Sequence, residues 1–277
     1  MYLPFKLLFP IFFLLIALVG CHKTTPINNV KNAVQAAKKY YIKSLAAGPN
    51  DSTSFIYDDQ MKLIKKITFT PSIYRTYGAD TVVFYFSYNY LGQLDTLKTT
   101  MSHAIGCETF EYNADGTIAR FNYLDKLLTV DYFFLIWYNN KKQVDSINYF
   151  VSDGSSNFKV FETAQFIHDV FSQNFVEVSG DSAHTETQYI FDNSNSMYQG
   201  IQLGHFEQSL PNGDYFGTDL IPPSHNLISM TTHNSGFNQT EKVSYIYNSD
   251  GYPTKETFNG SSFNGSSFTY RITYYVK

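Results

Sequence analysis

The sequence predicts an all-β protein: a large curved antiparallel sheet or barrel of repeated β-hairpins, preceded by one helix. Three observations predict it. Aromatic residues make up 18% of the 277 positions, with 25 Phe and 23 Tyr, and these types favour strands while Tyr tolerates a half-wet surface. A short unit recurs along the chain: aromatic or aliphatic, any residue, aromatic, then Asn or Asp. Between these units the apolar period is two, the period of a strand.

The elements follow in order. Lys6 precedes an apolar run from Leu7 to Gly20, and Cys21 is followed at once by His22-Lys23-Thr24-Thr25. A charged start, a short apolar stretch and a small residue before the cut describe a signal peptide over residues 1–20. The run is too short for a comfortable membrane span. Residues 21–29 form a tether. Residues 30–47 are expected to be the helix: Asn28 or Asn29 caps it, Ala36, Ala37 and Ala46 favour it, and Val30, Val34, Tyr41 and Leu45 recur at helical spacing. Gly48-Pro49-Asn50 ends it.

Residues 52–277 carry the hairpins. The units are Phe55-Ile-Tyr57-Asp58, Phe86-Ser-Tyr88-Asn89, Phe110-Glu-Tyr112-Asn113, Ile136-Trp-Tyr138-Asn139, Tyr189-Ile-Phe191-Asp192 and Tyr245-Ile-Tyr247-Asn248, with Phe166-Ile-His168-Asp169 as a degraded seventh. The two aromatics share one face of a strand, and the Asn or Asp starts a turn by bonding the backbone ahead. Gly92, Gly116 and Gly251 supply the left-handed position of a type I turn with a bulge. Met61, Lys142 and Asn195 stand there in other units, so those turns are expected to be looser. Return strands start at Leu63, Leu94, Ile118, Val144, Met197 and Pro253. An irregular insertion occupies residues 200–236. The last strand alternates cleanly, with Phe268, Tyr270, Ile272, Tyr274 and Val276 on one face. Val130 to Tyr138 is apolar on both faces, which suits a strand covered on both sides, by the N-terminal helix for instance.

Leu18-Val19-Gly20-Cys21 resembles the lipobox of bacterial lipoproteins, which implies that Cys21 is lipidated and becomes the mature N-terminus. The hairpin unit resembles the Tyr-Asp repeats of bacterial shell-forming toxin proteins. His225-Asn226-Leu-Ile-Ser-Met230, Tyr245-Ile-Tyr247-Asn-Ser-Asp-Gly-Tyr-Pro-Thr-Lys255 and Tyr270-Arg-Ile-Thr-Tyr-Tyr275 resemble a family of bacterial lipoproteins of unknown function with a porin-like fold. The resemblance implies a curved antiparallel sheet or barrel and no activity.

The net charge of −4 and pI near 5.9 leave no basic field for nucleic acid. Lipidation consumes one of two cysteines, and Cys107 is expected to be a buried thiol. None of the seven His forms a close ligand pair, and no phosphate loop or nucleophile elbow appears, so neither metal nor cofactor is expected. Asp58-Asp59, and Asp214 with Asp219, are read as turn residues. Glu162, Glu177, Glu186 and Glu207 could supply a glycosidase pair, but nothing in the sequence pairs them. A membrane-spanning barrel is disfavoured by Thr269, Arg271 and Thr273 on a strand's outer face, by the final Lys277 and by the lipid anchor.

Aromatics outside the repeat's core positions, Trp137, Tyr215, Tyr252 and Tyr275, are the candidate ligand-binding residues; core packing under the helix is the competing account of Trp137. Ser52, Thr81, Thr96, Ser146 and Ser182 follow Asp in triplets that resemble a bacterial O-glycosylation site, a pattern that a turn entering a strand also produces. The expected role is that of a non-enzymatic cell-envelope protein, lipid-anchored, most simply at the outer membrane. It would bind a glycan, an apolar molecule or a protein partner on a sheet face. Alternatives are a structural subunit of an outer-membrane complex and an envelope hydrolase.

Overall fold

The computed structural model describes residues 38–277 except 49–50, 71–79, 101–104, 125–128, 154–156, 170–174, 180–184, 199–224, 235 and 261–266. The signal segment, Cys21, the tether, residues 30–37 of the expected helix, Ser182 and Tyr215 lie outside the described residues. Sixteen strands follow one another: β1 (Tyr40–Gly48), β2 (Asp51–Tyr57), β3 (Leu63–Thr70), β4 (Asp80–Tyr88), β5 (Leu94–Thr100), β6 (Ile105–Tyr112), β7 (Ile118–Leu124) and β8 (Val130–Tyr138). Then come β9 (Val144–Ser152), β10 (Phe158–His168), β11 (Phe175–Ser179), β12 (Thr185–Phe191), β13 (Leu227–Asn234), β14 (Phe237–Tyr247), β15 (Pro253–Gly260) and β16 (Ser267–Val276). Each pairs antiparallel with its neighbours in sequence, and β1 pairs with β16 to close a barrel. Closure removes both exposed edges.

β1 corrects the expected helix over Tyr40–Ala47. Its register shifts between Ile42 and Ser44 where it pairs with β16. The bulge places Ile42 opposite Tyr274 and Leu45 opposite Ile272, so two inward residues stand three apart. A strand thereby imitates helical spacing. Ile42 is fully buried.

Inner and outer faces have opposite chemistry. Inward positions include Phe55, Phe86, Phe110, Phe121, Phe134, Ile147, Phe166, Tyr189, Met230 and Ile272, all buried in one cluster. Outward positions around the barrel include Lys98, Asp145, Lys242, Lys255, Arg271 and Thr273, all exposed. A membrane-spanning barrel has the reverse arrangement, apolar outside and polar inside. β8 is apolar on both faces, and among the described residues its outer face is covered at Phe133 by neighbouring side chains. Outward Phe133 stacks on Phe150 (4.6 Å) and meets Phe158 (4.9 Å), and the Arg120 guanidinium lies 3.9 Å from its ring centroid. Outward Trp137 is 42% exposed, so it does not pack in a core. Cys107 is a buried free thiol, and burial pushes its pKa up.

One end of the barrel, which we call the turn end, gathers the repeat units. The Asp58 side chain accepts from the Gln60 and Lys62 amides at 2.9 and 2.8 Å. Asn89, Asn139 and Asn248 make the same pair of bonds two and four residues ahead. Gly92, Gly116 and Gly251 have φ of 80°, 87° and 80°. Met61 and Lys142 reach 62° and 61° at the same position, and their amides bond Asp58 and Asn139 carbonyls at 3.0 Å as Gly116 bonds Asn113. Those turns are therefore not looser; the Asx bonds hold a side-chain-bearing residue in a conformation it disfavours. Asn195 and Met197 do depart from the pattern. Asn195 bonds Gly251 (N···O 3.2 Å), Met197 joins the core, and the return strand starts instead at Leu227.

In most units the second aromatic ties hairpin to hairpin through the backbone; Phe191 and Tyr247 are the exceptions. At the turn end the loops join β2 to β3 and β4 to β5, but nothing covalent joins β3 to β4. There the Tyr88 hydroxyl donates to the Leu63 carbonyl at 2.7 Å. Tyr57 does so to Ile42 (2.8 Å), Tyr112 to Leu94 (2.7 Å) and Tyr274 to Pro253 (2.7 Å). Tyr138 bonds the Ile118 backbone. His168, the degraded unit, makes the same link from Nε2 to the Val144 carbonyl at 2.5 Å; the carbonyl cannot donate, so the proton sits on Nε2. Burial raises the Tyr88 and Tyr138 phenols to about 12, which keeps both neutral and Tyr88 a donor. Turn and latch alternate, and the barrel is held shut at this end.

Candidate functional site

Away from the latched end inward positions become polar, some buried, such as Glu108 and Glu241, and some half-buried, such as Tyr132 and Tyr149. The densest such patch lies on β6 to β10. Glu108 on β6 faces Tyr123 on β7, which faces Tyr132 on β8. Phe134 faces Tyr149 on β9, which faces Glu162 on β10. Tyr123 and Tyr132 stack at 4.6 Å and 7°, and Tyr132 meets Tyr149 edge-on at 5.5 Å. The bulge between Val160 and Glu162 releases Phe161 from the ladder. Its ring stands 5.4 Å from Tyr149 and is 66% exposed. An aromatic wall thus lies between two carboxylates.

The electrostatics match the placement. Glu108 is 1% exposed, and burying a carboxylate is costly unless neighbours compensate. Burial first, then the Glu108 charge, raises the Tyr132 phenol. Burial chiefly, with Asp131 and Glu162 nearby, raises Tyr149. All three phenols stay protonated, so each keeps one hydroxyl donor and an apolar ring face.

Other inward polar groups are engaged by their neighbours. Lys66 lies 4.7 Å over the Phe84 ring. Gln239 Nε2 donates to Glu241 at 2.8 Å, and Thr187 and Thr232 hydroxyls meet at 3.2 Å. The Tyr245 hydroxyl lies 3.0 Å from the Leu227 carbonyl and 2.9 Å from Glu256 Oε1. A phenol has one proton, so the hydroxyl shares it between the carbonyl and the Glu256 carboxylate oxygen. Burial raises the Glu256 carboxyl to about 7, against the bond from Tyr245, which lowers it.

A separate polar clasp closes the base of the insertion. Asp192 accepts from the Ser194 and Asn226 amides at 3.0 Å each, from Asn226 Nδ2 and from the Tyr247 hydroxyl. Asn226 in turn accepts from the Met197 amide (3.2 Å) and donates to the Asn195 carbonyl (2.9 Å). His225 Nδ1 donates to the Ser194 carbonyl at 2.9 Å.

The sequence-derived candidates do not form one site. Trp137 on β8 and Tyr275 on β16 sit outside, on different strands far apart in the ring. Tyr252 stacks on Tyr40 at 4.3 Å beside the closure, where Tyr40 and Lys38 (3.6 Å) both engage Asp250. Ser52, Thr81, Thr96 and Ser146 lie on outward strand positions, with Thr96 donating to Asp95 at 3.1 Å. Of the four Glu considered for a pair, Glu162 faces inward, Glu186 is exposed, Glu177 lies on β11 opposite Phe166, and Glu207 is outside the described residues. The wall of Glu108, Tyr123, Tyr132 and Tyr149 was missed. Strand parity could have found it, since Glu108 shares the parity of Phe110 and Tyr112.

No family model matches the sequence, and no curated protein matches it. Solved structures do match. A porin-like protein from Bacteroides uniformis superposes with a TM-score of 0.55 at 12% identity, covering 87% of this chain and 96% of that one. A porin-like protein from Bacteroides vulgatus covers 86% of this chain and 99% of its own, at 12% identity and a TM-score of 0.41. At this identity the first likeness is one of fold: the chain is an all-β, porin-like barrel.

Proposed function

We propose that this chain is a non-enzymatic, lipid-anchored protein of the bacterial envelope, most simply at the outer membrane. Its barrel stands outside the bilayer and binds a small hydroxyl-rich ligand of the glycan class on its inner wall. The observation that carries the reading is the row Tyr123–Tyr132–Tyr149 between Glu108 and Glu162, half-open to solvent above a sealed apolar floor. Flat aromatic faces receive the C–H side of a sugar ring, and the half-buried Glu162 carboxylate accepts from its hydroxyls, with Glu108 buried behind the wall. The polar outer wall supports a barrel in water, and Leu18–Cys21 supports the anchor.

Titration calorimetry with neutral gluco-oligosaccharides and muropeptides tests the site. Saturable binding is expected with at least one probe, weakened tenfold or more by Tyr132→Ala and by Glu162→Gln. No saturable heat from any probe, or binding indifferent to both substitutions, overturns the reading. Appearance of cleaved product would replace binding by hydrolysis.

A further inference from the structure

The middle residue of the repeat unit points outward, into water, yet it is apolar in five of seven units: Ile56, Trp137, Ile167, Ile190 and Ile246, against Ser87 and Glu111. Nothing in the barrel requires this, because the inner face alone carries the core. Where β4 has Ser87, its turn instead presents Tyr90, 95% exposed, and Leu91. Of the twelve large apolar residues that stand exposed among the described ones, nine lie at the turn end; the others are Tyr85, Val160 and Phe161. The rest of the outer wall is mostly Thr, Ser, Lys and Asp, with its other large rings packed on one another, as Phe133 is on Phe150 and Phe158.

The chain also enters the barrel at this end. Lys39 and Lys277 exchange backbone bonds at 2.8 and 3.0 Å beside the start of β1. Only sixteen residues, 22–37, separate Lys38 from Cys21. Turn-end charges are mixed, with Lys142 paired to Asp115 at 3.2 Å and Lys38 to Asp250, so no charged partner is selected. Apolar rings and isoleucines between lysines and turn polar groups are the composition of a membrane–water interface.

We infer that the turn end is a membrane-docking rim: its outward Ile and Trp side chains bed into the headgroup–acyl boundary of the bilayer that holds the anchor. The anchor rests on the lipoprotein reading above, and it turns docking into an intramolecular step of high effective concentration. The rim's own affinity for lipid does not depend on it. The barrel then stands with its latched floor on the lipid and the aromatic wall toward water.

Trp137 is the only tryptophan, so its emission reads the rim directly. The full chain with Cys21→Ser is titrated with phosphatidylcholine–phosphatidylethanolamine vesicles, with and without acyl chains brominated near the headgroup. A blue shift is expected, with at least half the emission quenched by the bromolipid and little sensitivity to salt. Ile167→Asp with Ile246→Asp should raise the lipid needed for half the shift at least fivefold. Both sites are exposed, and an unchanged melting curve shows the fold intact. Emission that stays as in buffer at millimolar lipid overturns the rim, whatever the anchor does. The anchor is judged apart: the unsubstituted chain should pellet with vesicles at micromolar lipid, and failure there sinks the anchor alone.

Discussion

The hairpins from β2 to β9 and the junction from β12 to β13 solve the same problem in different ways. In the former, a turn of five residues and a tyrosine latch repeat with little variation. In the latter the latch position is Phe191, the turn glycine is replaced by Asn195, and residues 199–224 intervene between clasp halves. Asp192 keeps its place in the repeat but changes its partners. It still takes the amide two residues ahead, from Ser194, but its second backbone partner lies 34 residues on, at Asn226. A short turn is closed by local backbone bonds, each replaceable; the base of the long insertion is closed by one half-buried carboxylate and one buried amide, with no local substitute.

That contrast predicts unequal sensitivity. Asn226→Ala should cost about 3 kcal/mol in chemical denaturation, since it strips donors from Asp192 and leaves the Met197 amide without its acceptor. A loss under 1 kcal/mol would make the clasp no different from a turn.

Glu256 gives a pH test in the neighbouring hairpin. Its carboxyl sits at about 7 folded against an ordinary 4.5. Between these values the unfolded chain has lost the proton and the folded one keeps it. Its contribution to stability therefore falls as pH rises from 4.5 to 7, by about 3 kcal/mol, and is flat above. Glu256→Gln should remove that slope in urea titrations at pH 5 and pH 8.

Gly116→Val forces a β-branched residue to φ 87° and should cost about 1–3 kcal/mol. Met61→Gly, at the matching position, should gain about 0.5 kcal/mol; equal signs for the two would mean the left-handed position is not what governs these turns. The latch falls between these two effects. Tyr112→Phe leaves the Leu94 carbonyl unbonded and should cost about 1 kcal/mol, read as a shift in thermal midpoint with unchanged circular dichroism.

Strand content, turn positions and the face of each aromatic were legible because they are local: period two, an Asx start and a glycine all lie within six residues. β1 was misread because its bulge sets Ile42 and Leu45 three apart, and Ala36, Ala37 and Ala46 reinforced the helical impression. The latches were half legible. Tyr at the unit's third position was visible, but the reason was not, since its acceptor lies 15 to 25 residues back on another hairpin. Ile272-Thr-Tyr274 is a further unit that went unnoticed because no Asn or Asp follows it. Closure was invisible, because nothing in β1 or β16 names the other. The aromatic wall escaped because it draws single residues from five strands.

Fifteen of the sixteen strand contacts join neighbours in sequence, and one, β1 to β16, joins residues more than 220 positions apart. Folding therefore has two clocks. Hairpins can zip in order as the chain is made, but the ring cannot shut until the last strand exists. Until then β1 waits as an open edge beside an apolar sheet, the most adhesive surface this chain ever shows. The tyrosines that lace the turn end do not shorten that wait, yet each aligns the strands already formed. A nascent chain stalled before β16 should be the aggregating species, and an escort that covers β1 would matter most during that interval.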